Sequence, residues 1–233
     1  TPPLHHLSRE VRFGLHPPSS PPDLSPNNFA GQPALTGIAP FLSLAVALAG
    51  TPDPATGMLL NIRQVDDVLR RQAVPLLQNV YYAPPSSSPF CLNSLLTQLF
   101  SQLQSAFSPC HLQTLTLRLS PFLTLAVDHL EPAMIYLSQR FEFSAAHRLH
   151  SSVLSPAENQ AAFGKCHNPH GHGHNYELEI TLAGTPDPTT GQLLPIEQLQ
   201  HLVNTTIIER FDHKHLNLDC PEFAQLNPTV ENI

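Results

Sequence analysis

Four histidines and a cysteine crowd the run Cys166-His167-Asn168-Pro169-His170-Gly171-His172-Gly173-His174-Asn175-Tyr176, and the chemistry they offer is metal binding. Tyr176, Leu178, Ile180 and Leu182 alternate with Glu177, Glu179 and Thr181, a period of two that predicts a strand. Residues two apart on a strand share a face, so His172 and His174 point the same way. A third imidazole sits on another alternating stretch, where Phe141, Phe143, Ala145 and His147 share a face. Three imidazoles from two strands suit Zn2+, with a fourth position left for water or substrate. A histidine-rich loop that takes up metal adventitiously is the competing reading. Ligands on two separate strands, beside a cysteine, argue against it.

Four motifs follow one another in order: Phe143-Ser144-Ala145-Ala146-His147-Arg148-Leu149, Phe163-Gly164-Lys165-Cys166, Gly171-His172-Gly173-His174-Asn175-Tyr176 and Phe211-Asp212-His213-Lys214-His215-Leu216-Asn217. Together they resemble the 6-pyruvoyltetrahydropterin synthase / 6-carboxytetrahydropterin synthase family over about residues 134–233. The resemblance implies a small-molecule substrate, 7,8-dihydroneopterin triphosphate, that loses triphosphate while its three-carbon side chain rearranges. It implies zinc on His147, His172 and His174, stabilising the enediolate-like charge that builds as a carbon-bound proton leaves.

Cys166 matches the family's base, and positive charge from the metal and Lys165 favours the thiolate this requires. Standing alone it would read as an inert buried thiol. Asp212 and His213 match a proton-shuttling pair. Sequence neighbours point in different directions, however, and a histidine after a helix also meets the helix dipole. Thr229 and Glu231 match a stretch beside the pterin, or an ordinary helix start capped by Thr229. His167, His170 and His215 read as polar loop residues. The 6-carboxy product, a deazapurine and queuosine precursor, is the expected outcome. The alternatives are the 6-pyruvoyl product and a non-catalytic zinc-binding or assembly module.

The implied fold is α+β, the tunnelling fold (T-fold). In it an antiparallel four-stranded sheet carries two helices on one face, and subunits pair edge to edge into a homo-oligomeric barrel with sites between them. The sequence suggests two such units in tandem. Leu48-Ala49-Gly50-Thr51-Pro52-Asp53-Pro54 recurs 134 residues later as Leu182-Ala183-Gly184-Thr185-Pro186-Asp187-Pro188, and 13 of the 17 positions from 48 to 64 agree. Each copy reads as strand, Asp-Pro turn and amphipathic helix, the second with Ile196, Leu199, Leu202, Val203, Thr206 and Ile207 at helical spacing.

The same shift puts Ile38, Ala39 and Pro40 where the second copy has His172, Gly173 and His174. Gln32 falls at Cys166, and Gln78 and Asn79 at Asp212 and His213. His147 falls on Phe13 without a gap, or near His16 with a short one. Residues 1–128 are therefore expected to form a degenerate, non-catalytic unit, with a strand at 41–49 apolar enough on both faces to pack against a neighbour. Residues 129–233 are expected to form the catalytic unit. The first copy continues into a helix near 92–107 and strands near 115–119 and 122–127. Roughly 34 equivalent residues are missing from the second, which is expected to be incomplete. They include the strand that carries the family's pterin-anchoring glutamate; the corresponding place in the first copy holds Ser120.

A chain of 233 residues with 41% hydrophobic residues suffices for one or two domains. The net charge of −7 disfavours nucleic acid as a partner. No apolar run reaches the roughly 18 residues of a membrane span, and the first residues do not read as a secretory signal. The 4 cysteines, Cys91, Cys110, Cys166 and Cys220, form no CxxC pair, so a reduced, cytoplasmic protein is expected. The 25 prolines concentrate before residue 41 and again at Pro84 and Pro85, stretches that read as loops.

Overall fold

Period-two burial builds the first strands. In β1 (His5–Gly14) Val11 and Phe13 are buried, and in β2 (Phe41–Gly50) Leu42, Leu44, Val46 and Leu48 face the same core. The structure is a computed structural model that describes residues 4–17, 38–83 and 92–233, and its class is α+β. The expected loops at 18–22 and at Pro84 and Pro85, with Gln32 and Cys91, lie outside the described residues. The chain divides into two units, one of residues 1–139 and 180–193, the other of residues 140–179 and 194–233.

In the first unit β1 pairs antiparallel with β2, Phe13 opposite Leu42. α1 (Ile62–Val68) and α2 (Val74–Tyr81) follow, joined by a π-helical turn at Leu69–Ala73. Asn61 caps α1 by accepting from the Arg63 N–H at 3.0 Å. α3 (Leu92–Leu103) turns Leu95, Leu96, Leu99, Phe100 and Leu103 into the core. β3 (His111–Arg118) returns antiparallel to β2, β4 (Leu123–Asp128) pairs with β3, and the first residues of β5 (Ile135–His147) pair with β4. On the second face of β2, Ser43, Ala45 and Ala47 are half-buried within the chain itself.

Several polar groups inside this unit pair with one another. Arg9 donates two bonds to Asp66 of α1, at 2.6 and 2.5 Å. The buried Arg70 guanidinium donates to the Arg12 carbonyl at 3.2 Å. Two turns here are alike. Asp53 Oδ1 accepts from the N–H groups of Ala55 and Thr56, as Asp187 Oδ1 does from Thr189 and Thr190. Gly57 and Gly191 close them at φ of 70° and 65°, which favours glycine.

The second unit holds residues 140–147 of β5. α4 (Pro156–Phe163) begins at a capping box formed by Ser155 and Glu158 and runs into a 3-10 turn, Gly164–His167. Residues 172–179 of β6 (His172–Gly184) lie beside β5. α5 (Ile196–Val203), a π-helical turn at Asn204–Ile208 and α6 (Glu209–Phe211) lead to β7 (Lys214–His215), which pairs parallel with β5. α7 (Leu216–Asp219) follows. The core gathers Phe143, Ala145, Leu216, Cys220 and Phe223, ringed by Tyr176, Ile207, Ile208 and Phe211. No helix among the described residues is long and apolar enough to cross a membrane.

Phe13 is 0% exposed at the centre of the first unit. Phe13→Ala is expected to lower the unfolding free energy by about 3–5 kcal/mol, read as a shift in the urea midpoint.

Candidate metal centre

Three imidazole rings meet where β5 ends and β6 begins. Arg140 bonds Glu179, the Ser144 hydroxyl bonds Asn175, and His147 reaches His172, so numbers rise on one strand as they fall on the other, an antiparallel register. Phe143 stacks on Tyr176 at 4.9 Å and fixes that register on the core side. His147 is two alternations beyond Phe143 on the buried face and is 5% exposed. Its Nε2 lies 3.2 Å from His172 Nε2, and His174 Nε2 lies 2.7 Å from His172 Nε2.

The tautomer of His147 follows from its partners. Nδ1 is 2.7 Å from the Pro228 carbonyl, which only accepts, so Nδ1 carries the proton. In the neutral ring Nε2 is then a lone pair aimed at His172. Burial pushes the His147 pKa down, against the lift from Pro228; His172, His174 and His215 push the same way as burial. Burial, then His174, lowers that of His172 as well. Imidazoles whose nitrogens converge, one of them oriented by a carbonyl, are the donor set zinc takes. With zinc about 2.0 Å from each nitrogen, tetrahedral neighbours stand about 3.3 Å apart; the His147–His172 spacing of 3.2 Å matches this, and the His172–His174 spacing of 2.7 Å is shorter. The residues present fit the ion.

Gly171 lets the chain reach this point. Its φ is 72°, and a Cβ there would meet His215 Nε2 at 2.7 Å and the His147 carbonyl oxygen at 3.0 Å. Cys166 sits on the 3-10 turn after α4, half-buried. Its carbonyl accepts from the Leu149 N–H at 2.9 Å, tying the turn to the chain just past His147. The Cys166 thiol, His147 and His172 form a cluster whose ligand atoms all lie within 4.8 Å of one another.

Asp212 and His213 touch, although sequence neighbours are expected to diverge: His213 Nδ1 is 2.8 Å from Asp212 Oδ2. The reason is the backbone. His213 has φ 55°, a left-handed conformation costing roughly 1–2 kcal/mol for a residue with a side chain. Two bonds to Ser144 of β5 hold it, from the Ser144 N–H to Asp212 Oδ1 at 2.8 Å and from the His213 N–H to the Ser144 carbonyl at 2.6 Å. The Ser144 N–H, then His213, keeps the Asp212 carboxyl below its usual range. The His213 side chain is 84% exposed.

His174 and His213 line one open cleft of about 760 Å³, with Ser144, Asn175, Lys214 and Asp219. Cys166, Thr229 and Glu231 are not among its lining residues. Thr229 and Glu231 are joined to each other by a side-chain bond that lowers the Glu231 pKa. They follow directly on Pro228, whose carbonyl holds His147.

Sequence reasoning missed the Pro228 carbonyl, which has no signature in residue type. It also missed His215, read there as a polar loop residue. The Pro169-His170-Gly171 turn before the histidine pair was the available signal for Gly171.

The family model described as 6-pyruvoyl tetrahydropterin synthase matches residues 136–233. The 6-pyruvoyl tetrahydrobiopterin synthase of Drosophila melanogaster is 51% identical over 98 residues, covering 42% of this chain and 58% of that protein. The enzyme of that name from Homo sapiens is 45% identical over 97 residues, covering 42% and 67%. The 6-carboxy-5,6,7,8-tetrahydropterin synthase of Rickettsia conorii is 32% identical over 115 residues, covering 43% and 75%. The chain therefore spans a little over half the length of the fly relative.

The converging imidazoles predict about one zinc per chain. His172→Ala, which removes the ring between the other two, should abolish most of it, measured by elemental analysis after dialysis. Two equivalents in the parent protein, or no loss in the variant, would contradict the assignment.

Proposed function

The chain belongs to the 6-pyruvoyl tetrahydropterin synthase family, and from that membership we propose that its second unit is the catalytic part of a pterin synthase acting on 7,8-dihydroneopterin triphosphate. The observation that carries the reading is the convergence of His147, His172 and His174 beside the Cys166 thiol. Identities of 51% and 45% to 6-pyruvoyl synthases, against 32% to a 6-carboxy synthase, favour the 6-pyruvoyl product over the 6-carboxy product expected first.

His147, His172 and His174 would hold the zinc, which when bound supplies a Lewis acid for the substrate's side-chain hydroxyls and the charge developing on them. Pro228 keeps the His147 lone pair on the metal side. Cys166 accepts the carbon-bound proton as thiolate. His213, its Nδ1 side occupied by Asp212, carries protons at Nε2 toward the cleft. Glu231, oriented by Thr229, accepts hydrogen bonds from the pterin ring.

Residues 1–128 are, in this proposal, a degenerate copy of the same T-fold, and residues 129–233 the catalytic copy of a homo-oligomer. The paired Asp53 and Asp187 turns and the π-helical turns at Leu69–Ala73 and Asn204–Ile208 support the duplication. Register supports it too, with a gap. Phe13 lies opposite Leu42, as Phe143 lies against Tyr176, which is 134 residues beyond Leu42. Counting on past the Leu15–Pro40 bond brings Pro17, rather than Phe13 or His16, opposite Ile38. Neither residue offers a metal an electron pair from its side chain. Gln78 is buried and donates to the His16 carbonyl at 3.4 Å.

Cys166→Ala should keep its zinc and lower turnover of dihydroneopterin triphosphate by about 10²–10⁴. Near-normal turnover would remove Cys166 from the base role, and mass analysis of the product separates the two synthase types. His16→Ala should leave both zinc content and turnover unchanged; a loss in either assay would give the first copy a part in the chemistry.

A further inference from the structure

The cluster of His147, Cys166 and His172 leaves the thiol closer to the metal position than a base alone requires. With zinc–nitrogen and zinc–sulfur bonds of about 2.0 and 2.3 Å, adjacent nitrogen and sulfur ligands stand about 3.5 Å apart. The ligand atoms of these three residues already lie within 4.8 Å of one another. Closing the difference needs about 1 Å, and rotation of a cysteine between χ1 wells moves its sulfur by about 3 Å.

The backbone that carries the thiol is held in place. Two bonds to Leu149 pin the turn, from its N–H to the Cys166 carbonyl at 2.9 Å and between its carbonyl and His167 Nδ1 at 3.1 Å. The turn is anchored to the chain just beyond His147, so the sulfur swings from a fixed origin. Gly164, at φ 52°, has open space around the position of a Cβ, so the entry to the turn is uncrowded. Among the described residues, no carboxylate joins Cys166 in that cluster.

We propose that Cys166 is the fourth metal ligand of the substrate-free protein and leaves the metal when substrate arrives. This rests on the pterin synthase reading and deepens it. As the sulfur–metal bond forms, the S–H proton passes to solvent. When the hydroxyls of the substrate side chain take the position, that bond breaks and the thiolate keeps its electron pair, ready to accept the carbon-bound proton. The site is closed by four ligands at rest and opened by its substrate. A resident thiolate ligand is also shielded from oxidation.

Cobalt(II) in place of zinc reports the bond directly. The cobalt-loaded protein is expected to show a sulfur-to-cobalt charge-transfer band in the near ultraviolet. Cys166→Ser should lose that band yet keep the visible bands of histidine-bound cobalt, which shows that the variant still binds metal. Saturation with oxidised neopterin, which carries the same side-chain hydroxyls and does not turn over, should weaken the sulfur band several-fold. A cobalt protein without the band overturns the ligation, even if the zinc form turns over substrate. A band that persists in full under saturating neopterin overturns the exchange and makes the cysteine a permanent staple. A sulfur band that responds to neopterin, in a protein whose zinc form leaves dihydroneopterin triphosphate intact, upholds the ligation and sinks the catalytic reading instead.

Discussion

His147 has a carbonyl on one side and two imidazoles on the other, and burial disfavours a second proton on its ring. The Pro228 carbonyl fixes where the single proton sits, and the lone pair must therefore face His172. Everything else in the second unit serves that arrangement. β5 carries His147 to the end of an apolar face, β6 brings two more rings to the same place, and the segment after α7 returns to supply the carbonyl. Burial works against a second proton on His147 and on His172, which keeps their ring nitrogens available to a metal.

The apolar core and the polar site share the same strands. Phe143 packs on Tyr176 and Phe211, and one residue on, Ser144 gives its N–H to Asp212 and its carbonyl to the His213 N–H. Alternation makes this possible, since the inward residues hold the core while the backbone between them holds the dyad. The left-handed His213 is tolerated because both of these bonds over-determine it. The first unit uses its interior differently. There the Arg9–Asp66 pair and the Arg70 bonds to the Arg12 carbonyl join polar groups of one element to those of another.

Much of this was legible before the structure. Alternation predicted the strands at 41–49 and 172–182, Asp-Pro turns marked their ends, and the spacing of His172 and His174 put both rings on one face. The helix near 92–107 and the strands near 115–119 and 122–127 appear within a few residues of their expected places. What the sequence hid were contacts made by backbone. The Pro228 carbonyl, the Ser144 N–H and the left-handed turn at His213 depend on where the chain runs, and any residue type offers the same groups there. Register was hidden for a related reason, because residue types alone do not say that Phe13 lies opposite Leu42 or Phe143 against Tyr176.

Gly171 shows what that dependence means for inherited change. A side chain at this position would press on His215 and on the backbone of His147 while leaving each ligand in the sequence untouched. Someone comparing variants by ligand identity would score such a change as a benign loop polymorphism. Its damage would fall on the metal, through displacement of the strand end that presents it. Beside the centre, a residue with no side chain is thus held to its identity by the space the ligands need.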